Sequence, residues 1–232
     1  MSDVAANLAE VRARIDAAAR AAGRDPGDVQ LLGVTKTFPA ERVIEATRAG
    51  LQQLGENRVQ EASGKIPAVR EASSAPLEWH LIGSLQRNKA RRAVELFDVI
   101  QSLDRAELAR ALDRVAQEQG RQLRVYLQVN LDDEPQKGGV APAGAPALLD
   151  EIAALPALEP IGLMTIPAPR PDPEQRRPAF ARLRALREEL TLDHPGLCGL
   201  SMGMSADFEL AIGEGATCVR IGTALFGQRS ST

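Results

Sequence analysis

Apolar residues recur at helical spacing at the start of the chain, at Val4, Leu8, Val11, Ile15, Ala18, Ala19 and Ala22, and the repeat stops at Gly23. That spacing predicts an amphipathic helix over 4–22 with a glycine at its C-terminal end. From residue 30 onward the pattern changes to short apolar runs that alternate with helical repeats. Strands are predicted at 30–35, 51–54, 77–83, 99–103, 123–131, 159–166, 197–202 and 217–221. Helices are predicted at 40–49, 58–72, 88–96, 105–119, 146–155 and 175–190, with one more opened by Ser205 as N-cap and closed by Gly215. The segment "LRVYLQVNL" at 123–131 is the clearest strand, rich in β-branched and aromatic residues and bounded by turn formers.

Strands joined by crossover helices pair in parallel, and about eight such units close into a (β/α)8 TIM barrel. The fold class expected is therefore α/β, one domain spanning 1–232, with an extra helix ahead of the barrel. The rival is a doubly wound open sheet. It is disfavoured because the first strand is followed by "TKTFP" and not by the glycine-rich fingerprint of a dinucleotide-binding sheet.

Composition narrows the function. Hydrophobic residues make up 44% and charged residues 25% of 232, as in ordinary globular proteins. The net charge of −3 gives no reason to expect nucleic-acid or membrane binding. The one basic run, "RNKARR" at 87–92, reads as a solvated helix face. Cys198 and Cys218 both lie in apolar, strand-like stretches and are expected to be buried free thiols. An N-terminus carrying acids and arginines in place of an apolar run points to the cytoplasm. Of the 28 basic residues only Lys36, Lys65, Lys89 and Lys137 are lysines. Arginine supplies surface charge but stays protonated and does not act as an amine nucleophile, so a lysine at the end of a strand invites a chemical reading.

In barrels of this kind the site is built at the C-terminal ends of the strands. Strand one ends at Lys36, strand two leads to Asn57, and strand three carries His80 and Ser84 in "WHLIGSLQ". The last two strands end in "SMGMS" and "IGTALFG". There Gly203, Ser205, Gly222 and Thr223 place small residues and hydroxyls where backbone amides can meet an anion, the usual phosphate position of the fold. Read alone, these glycines are equally turn residues and helix caps. An anion site facing Lys36 suits a phosphate ester that carries an aldehyde, such as pyridoxal 5′-phosphate, because a partly desolvated amine keeps more of its neutral, nucleophilic form. Lys36 read as a lysine snorkelling to the barrel rim stands beside that reading.

The ordered motifs "LLGVTKTFP", "LGENRVQE", "WHLIGSLQRNK", "GLMTIPAP", "LSMGMSADFELAI" and "VRIGTALFG" resemble the YggS/PROSC family of pyridoxal phosphate homeostasis proteins over residues 3–227. The resemblance implies an alanine-racemase-like barrel that binds the vitamin B6 cofactor covalently and acts as reservoir or carrier without established turnover. It implies a Schiff base on Lys36, a phosphate loop of Ser201, Gly203, Met204 and Ser205, and a second of Gly222 and Thr223. Arg220 would lie beside the pyridine nitrogen, and Asn57, His80 and Met164 would line the ring pocket. His80 also reads as a core histidine with satisfied hydrogen bonds.

Phe38, Arg58, Ser84, Arg87 and Phe208 depart from the residues common in the family, which bears on the rim and its partners. An arginine at the ring nitrogen disfavours its protonation and weakens the electron sink. Racemases of this fold add a β-rich domain and a tyrosine base, whereas the single tyrosine here, Tyr126, lies inside a predicted strand. A non-catalytic cofactor-binding protein is therefore expected, with a slow amino-acid racemase as the alternative. It is expected to be monomeric, with apo-enzymes as transient partners and Lys137 as a possible transfer lysine in the loop "EPQKGG".

Overall fold

Asp3 begins the first helix. Its carboxylate accepts hydrogen bonds from the amides of Ala5 and Ala6, and α1 (Val4–Ala21) follows. Val4, Leu8, Val11, Ile15 and Ala19 face inward along one stripe, and Gly23 turns the chain out at φ 69°. The computed structural model describes residues 3–132 and 138–227.

After α1 come β1 (Gln30–Val34), α2 (Ala40–Arg48), β2 (Gln53–Glu56), α3 (Val59–Ala72), β3 (Glu78–Leu81), α4 (Ala90–Leu96), β4 (Val99–Leu103) and α5 (Ala106–Glu118). The second half is β5 (Leu123–Gln128), α6 (Ala145–Ala153), β6 (Leu158–Met164), α7 (Arg177–Leu190), β7 (Gly199–Met204), α8 (Phe208–Gly213), β8 (Cys218–Ile221) and α9 (Thr223–Phe226). Each strand pairs in parallel with its successor, and β8 returns to β1 with Leu31 opposite Val219, so the sheet is a closed barrel and the open-sheet rival is excluded. α1 packs against α8, α9 and α2, fixed by Arg14 on Glu209 and by Asn7 Nδ2 donating to Leu225 O at 2.9 Å.

Alternation along each strand sorts the side chains. Leu54, Leu81, Ile100, Val125, Leu127, Leu163, Leu200 and Val219 point outward and join the helices in the main apolar core. Their neighbours point inward, where Leu32, Val34, Ile82 and Cys218 form one small cluster and Val99, Tyr126 and Met164 another. Inward-facing positions continue past the strand ends to build the mouth of the barrel.

Several expectations shift. β2 starts at Gln53, two residues later than the apolar run at 51–54, because its pairing begins with Gln53 opposite Glu78 while Leu51 is spent on the helix core. β7 covers Gly199–Met204 and not 197–202: the Leu197 amide is held by His194 O in the preceding turn, while Met204 still pairs with Arg220. Regular pairing of β5 stops at Gln128, and β6 stops at Met164. Ser205 does not cap a helix. The segment after β7 turns on itself, with Met204 N–H donating to Asp207 Oδ1 at 2.6 Å, and α8 starts only at Phe208. Cys198 is exposed in the turn before β7, while Cys218 is buried as expected. The basic run at 87–92 carries arginines on the surface, as expected of a solvated face. Among the described residues no helix is long and apolar enough to cross a membrane.

Candidate functional site

The inward-facing positions at the C-terminal ends of the strands enclose an open pocket of ≈ 550 Å³. Its wall includes Lys36 and Phe38 after β1, Asn57 after β2, Ile82, Gly83 and Ser84 after β3, and Gln128 at the end of β5. Ile166 stands beyond β6, Met204, Ser205 and Ala206 lie at the end of β7, and Arg220, Gly222 and Thr223 close the ring. Seven of the residues expected to hold the cofactor thus meet around one hollow: Lys36, Asn57, Met204, Ser205, Arg220, Gly222 and Thr223. His80, Met164, Ser201 and Gly203 do not line it. They lie deeper, buried in the barrel or behind its wall. Lys137 lies outside the described residues.

Two glycines make this shape possible. A Cβ on Gly83 would stand 2.2 Å from the carbonyl oxygen of Asn57, so no side chain fits where the two loops touch. Gly203 has φ 89°, and a Cβ there would come within 2.6 Å of Ala211 Cβ, so the turn at the end of β7 tucks against α8. Ser205 Oγ accepts from Ala224 N–H at 3.4 Å, which joins the β7 turn to the start of α9 on one side of the pocket. Phe38 and Phe226 pack with ring centroids 4.9 Å apart at its edge.

Below the pocket floor an ordered chain of donors crosses the barrel. Arg220 Nη1 donates to Ser201 Oγ at 2.7 Å, Ser201 Oγ to Gln101 Oε1 at 2.6 Å, and Gln101 Nε2 meets His80 Nδ1 at 2.8 Å. His80 Nε2 reaches Glu78 Oε1 at 2.6 Å, and Arg124 Nη2 donates to Glu78 Oε2 at 2.6 Å. Because an amide N–H₂ only donates, His80 accepts at Nδ1 and carries its proton on Nε2. Arg220 Nη2 is held by Thr165 O at 2.7 Å, so the guanidinium is fixed from two sides. The hydrogen bond from His80, aided by Arg124, holds the Glu78 carboxyl at about 2. Burial pushes the Cys218 thiol and the Tyr126 phenol up, which keeps both neutral.

The histidine therefore serves the interior chain, with both ring nitrogens bonded, and sequence reasoning did not foresee Gln101 as its partner. Gln128 and Ile82 were also missed as pocket residues. The available signal was parity: Gln128 shares a face with Tyr126 two positions earlier, and Ile82 with His80.

One polar atom in the pocket wall is left over. Asn57 Oδ1 is buried without a hydrogen-bond partner. An orphaned acceptor costs free energy unless a ligand satisfies it, so it marks where a donor is wanted. The donor set therefore suits a phosphorylated aldehyde: an amine, hydroxyls and small-residue turns in the wall, a fixed cation on the floor, and an unpartnered amide oxygen.

Comparison with known proteins agrees with that chemistry. A family model described as the alanine racemase N-terminal domain matches residues 6–230. A "Pyridoxal phosphate homeostasis protein" of Pseudomonas aeruginosa is 51% identical over 229 residues, covering 99% of this chain and 97% of the relative. The protein of that name from Escherichia coli is 42% identical, with 99% and 98% covered. Among solved structures, PipY of Synechococcus elongatus with PLP bound superposes with a TM-score of 0.85 at 42% identity, over 97% of this chain and all (100%) of that one. An alanine racemase of Clostridium difficile shares the fold at 16% identity, TM-score 0.71, with 57% of its length matched.

Proposed function

The chain belongs to the alanine racemase N-terminal domain family and, within it, to the pyridoxal phosphate homeostasis proteins, and from that premise we propose that it binds pyridoxal 5′-phosphate and holds it for delivery. The bound cofactor supplies an aldehyde and an electron-withdrawing ring. The residues of the chain do the rest. Lys36 is the attachment point: its amine would hold the aldehyde carbon through a C=N double bond, the aldehyde oxygen leaving as water with the two amine protons. Ser205, Thr223 and the small-residue turns at Met204 and Gly222 grip the phosphate end. Arg220 keeps a permanent positive charge at the pocket floor and would disfavour a proton on a ring nitrogen held beside it. Asn57 Oδ1 would accept a hydrogen bond from a donor on the bound ring.

This is a binding role without amino-acid turnover. The relatives are named for homeostasis, and the one tyrosine is sealed among Val99 and Met164 inside the barrel with its phenol held neutral. Arg220 opposes the ring protonation that strengthens carbanion chemistry. The racemase alternative has in its favour the family model named for alanine racemase and the shared fold of remote racemases.

The observation that carries the reading is the convergence of Lys36, Arg220, Ser205, Thr223 and the orphaned Asn57 Oδ1 on one pocket. Purified protein incubated with the cofactor should turn yellow, and Lys36→Ala protein of normal stability should not. A visible band of unchanged strength in Lys36→Ala would refute the assignment. The protein works in the cytoplasm as a monomer that meets apo-enzymes transiently. Sedimentation velocity and a transfer assay to an apo-enzyme with a free-cofactor trap test those points.

A further inference from the structure

Lys36 sits in a backbone turn that is held in an unusual way. The residue after it, Thr37, has φ 67° and is the sole non-glycine residue with positive φ among those described. A β-branched residue in that region is strained and persists only where its surroundings over-determine it. The surroundings here are three charged side chains. Glu61, in the first turn of α3, accepts the Thr37 amide on Oε1 at 2.5 Å. Four residues on, Lys65 Nζ donates to the same Glu61 Oε1 at 2.9 Å, to Glu56 Oε1 at 2.6 Å and to Thr35 O at 2.7 Å. Thr35 Oγ1 also donates to Glu56 Oε1 at 2.6 Å.

The peptide groups before and after Lys36 are thus each bound by one member of a single ionic cluster. Lys65 and Glu56 are buried, at 6% and 0% exposure, where a charge cluster is costly and needs a reason to be kept. All three donors of the Lys65 ammonium are used, so this second lysine at the same end of the barrel does not compete for an aldehyde. Neither Glu61 nor Lys65 touches the pocket.

We propose that Glu61 and Lys65 are positioning residues for the attachment lysine: they clamp Thr35 O and Thr37 N and hold the left-handed turn that aims Lys36 into the pocket. The inference rests on Lys36 being the attachment point and adds what pre-orients it. Loss of the clamp lets residues 35–37 relax out of the strained turn and moves the amine off its productive position, where a displacement of about 1 Å costs up to about a hundredfold in rate.

The test compares parent protein with Glu61→Ala, Glu61→Gln and Lys65→Met. Added pyridoxal phosphate is followed by the growth of its visible band, and exchange of the Thr37 amide is read by NMR in cofactor-free protein. Glu61→Ala should attach the cofactor about 10- to 100-fold more slowly and lose protection at Thr37. Glu61→Gln keeps an oxygen for the Thr37 amide and should stay within about threefold of the parent. If Lys65→Met does not fold, the two Glu61 variants decide alone. Parent-like attachment by folded Glu61→Ala, or a Thr37 amide that exchanges equally fast in parent and Glu61→Ala, would overturn the proposal. Should borohydride reduction of the cofactor-loaded parent leave no pyridoxyl group on Lys36, the attachment reading fails instead, and amide exchange still decides whether the clamp holds the turn.

Discussion

The two mouths of the barrel make an instructive pair. The hollow at the N-terminal ends of the strands is of comparable size, ≈ 700 Å³ beside ≈ 550 Å³ at the C-terminal ends. It is lined by charged and polar groups such as Arg12, Glu78, Asp98 and Arg124, but each of these already has a partner. Glu78 is bound by Arg124 and His80, and Arg12 donates to Gly50 O at 2.7 Å. Of the buried polar atoms without partners among the described residues, none lies in its wall. The hollow at the C-terminal ends has an orphaned acceptor, a lysine beside a strained backbone and a glycine, Gly83, whose place no side chain can take. Size does not identify a site. Polar groups left wanting partners and backbone held against its preference do.

The sharpest way to break the comparison is to remove the lysine. Lys36→Ala should abolish the covalent adduct altogether, while Arg124→Ala at the opposite mouth should leave it intact, as read by absorbance after loading. Next in size is Gly83→Ala, whose Cβ would meet Asn57 O at 2.2 Å. It should cost about 2–3 kcal/mol in denaturant unfolding and displace the Asn57 wall, lowering cofactor affinity. Gly64→Ala in α3, where a Cβ meets nothing within 4 Å, should be neutral or stabilising by up to about 1 kcal/mol.

Gln101→Leu severs the donor chain between the mouths and leaves Ser201 and His80 each short of a buried partner, a loss of about 2 kcal/mol. It should also shift the absorption of bound cofactor, because the Ser201 hydroxyl that holds Arg220 Nη1 is then no longer fixed by Gln101. The smallest effect belongs to Glu78. Its carboxyl is depressed to about 2, so the stabilisation it contributes is complete above the ordinary carboxylate range and is lost as pH falls through that range towards 2. Thermal melts of Glu78→Gln should show a weaker decline between about pH 4.5 and 2 than the parent, with cofactor affinity at neutral pH unchanged.

Much of the barrel was legible because its signals are local. Periodicity placed α1, β4 within 99–103 and the glycines that end α2 and α5, since each depends on neighbours a few residues away. Lys36, Ser205, Gly222 and Thr223 were legible because strand ends at one face are where this fold builds sites. What stayed hidden depends on strands distant in sequence. The link from His80 through Gln101 to Ser201 spans β3, β4 and β7, and no spacing reveals which inward polar residues meet. The placement of α8 was missed because Ser205 is a good cap by type, whereas Asp207 captures the Met204 amide and delays the helix. Cys198 was misjudged because apolar neighbours in a turn do not ensure burial.

The account stands on which amine takes the aldehyde. With four lysines in the chain, borohydride reduction of cofactor-loaded protein followed by peptide mass spectrometry identifies it directly. The reduced pyridoxyl group should be found on Lys36, with stoichiometry near one. Label on Lys65, Lys89 or Lys137 at equal yield, with Lys36 unmodified, would contradict the assignment of the C-terminal mouth as the cofactor site.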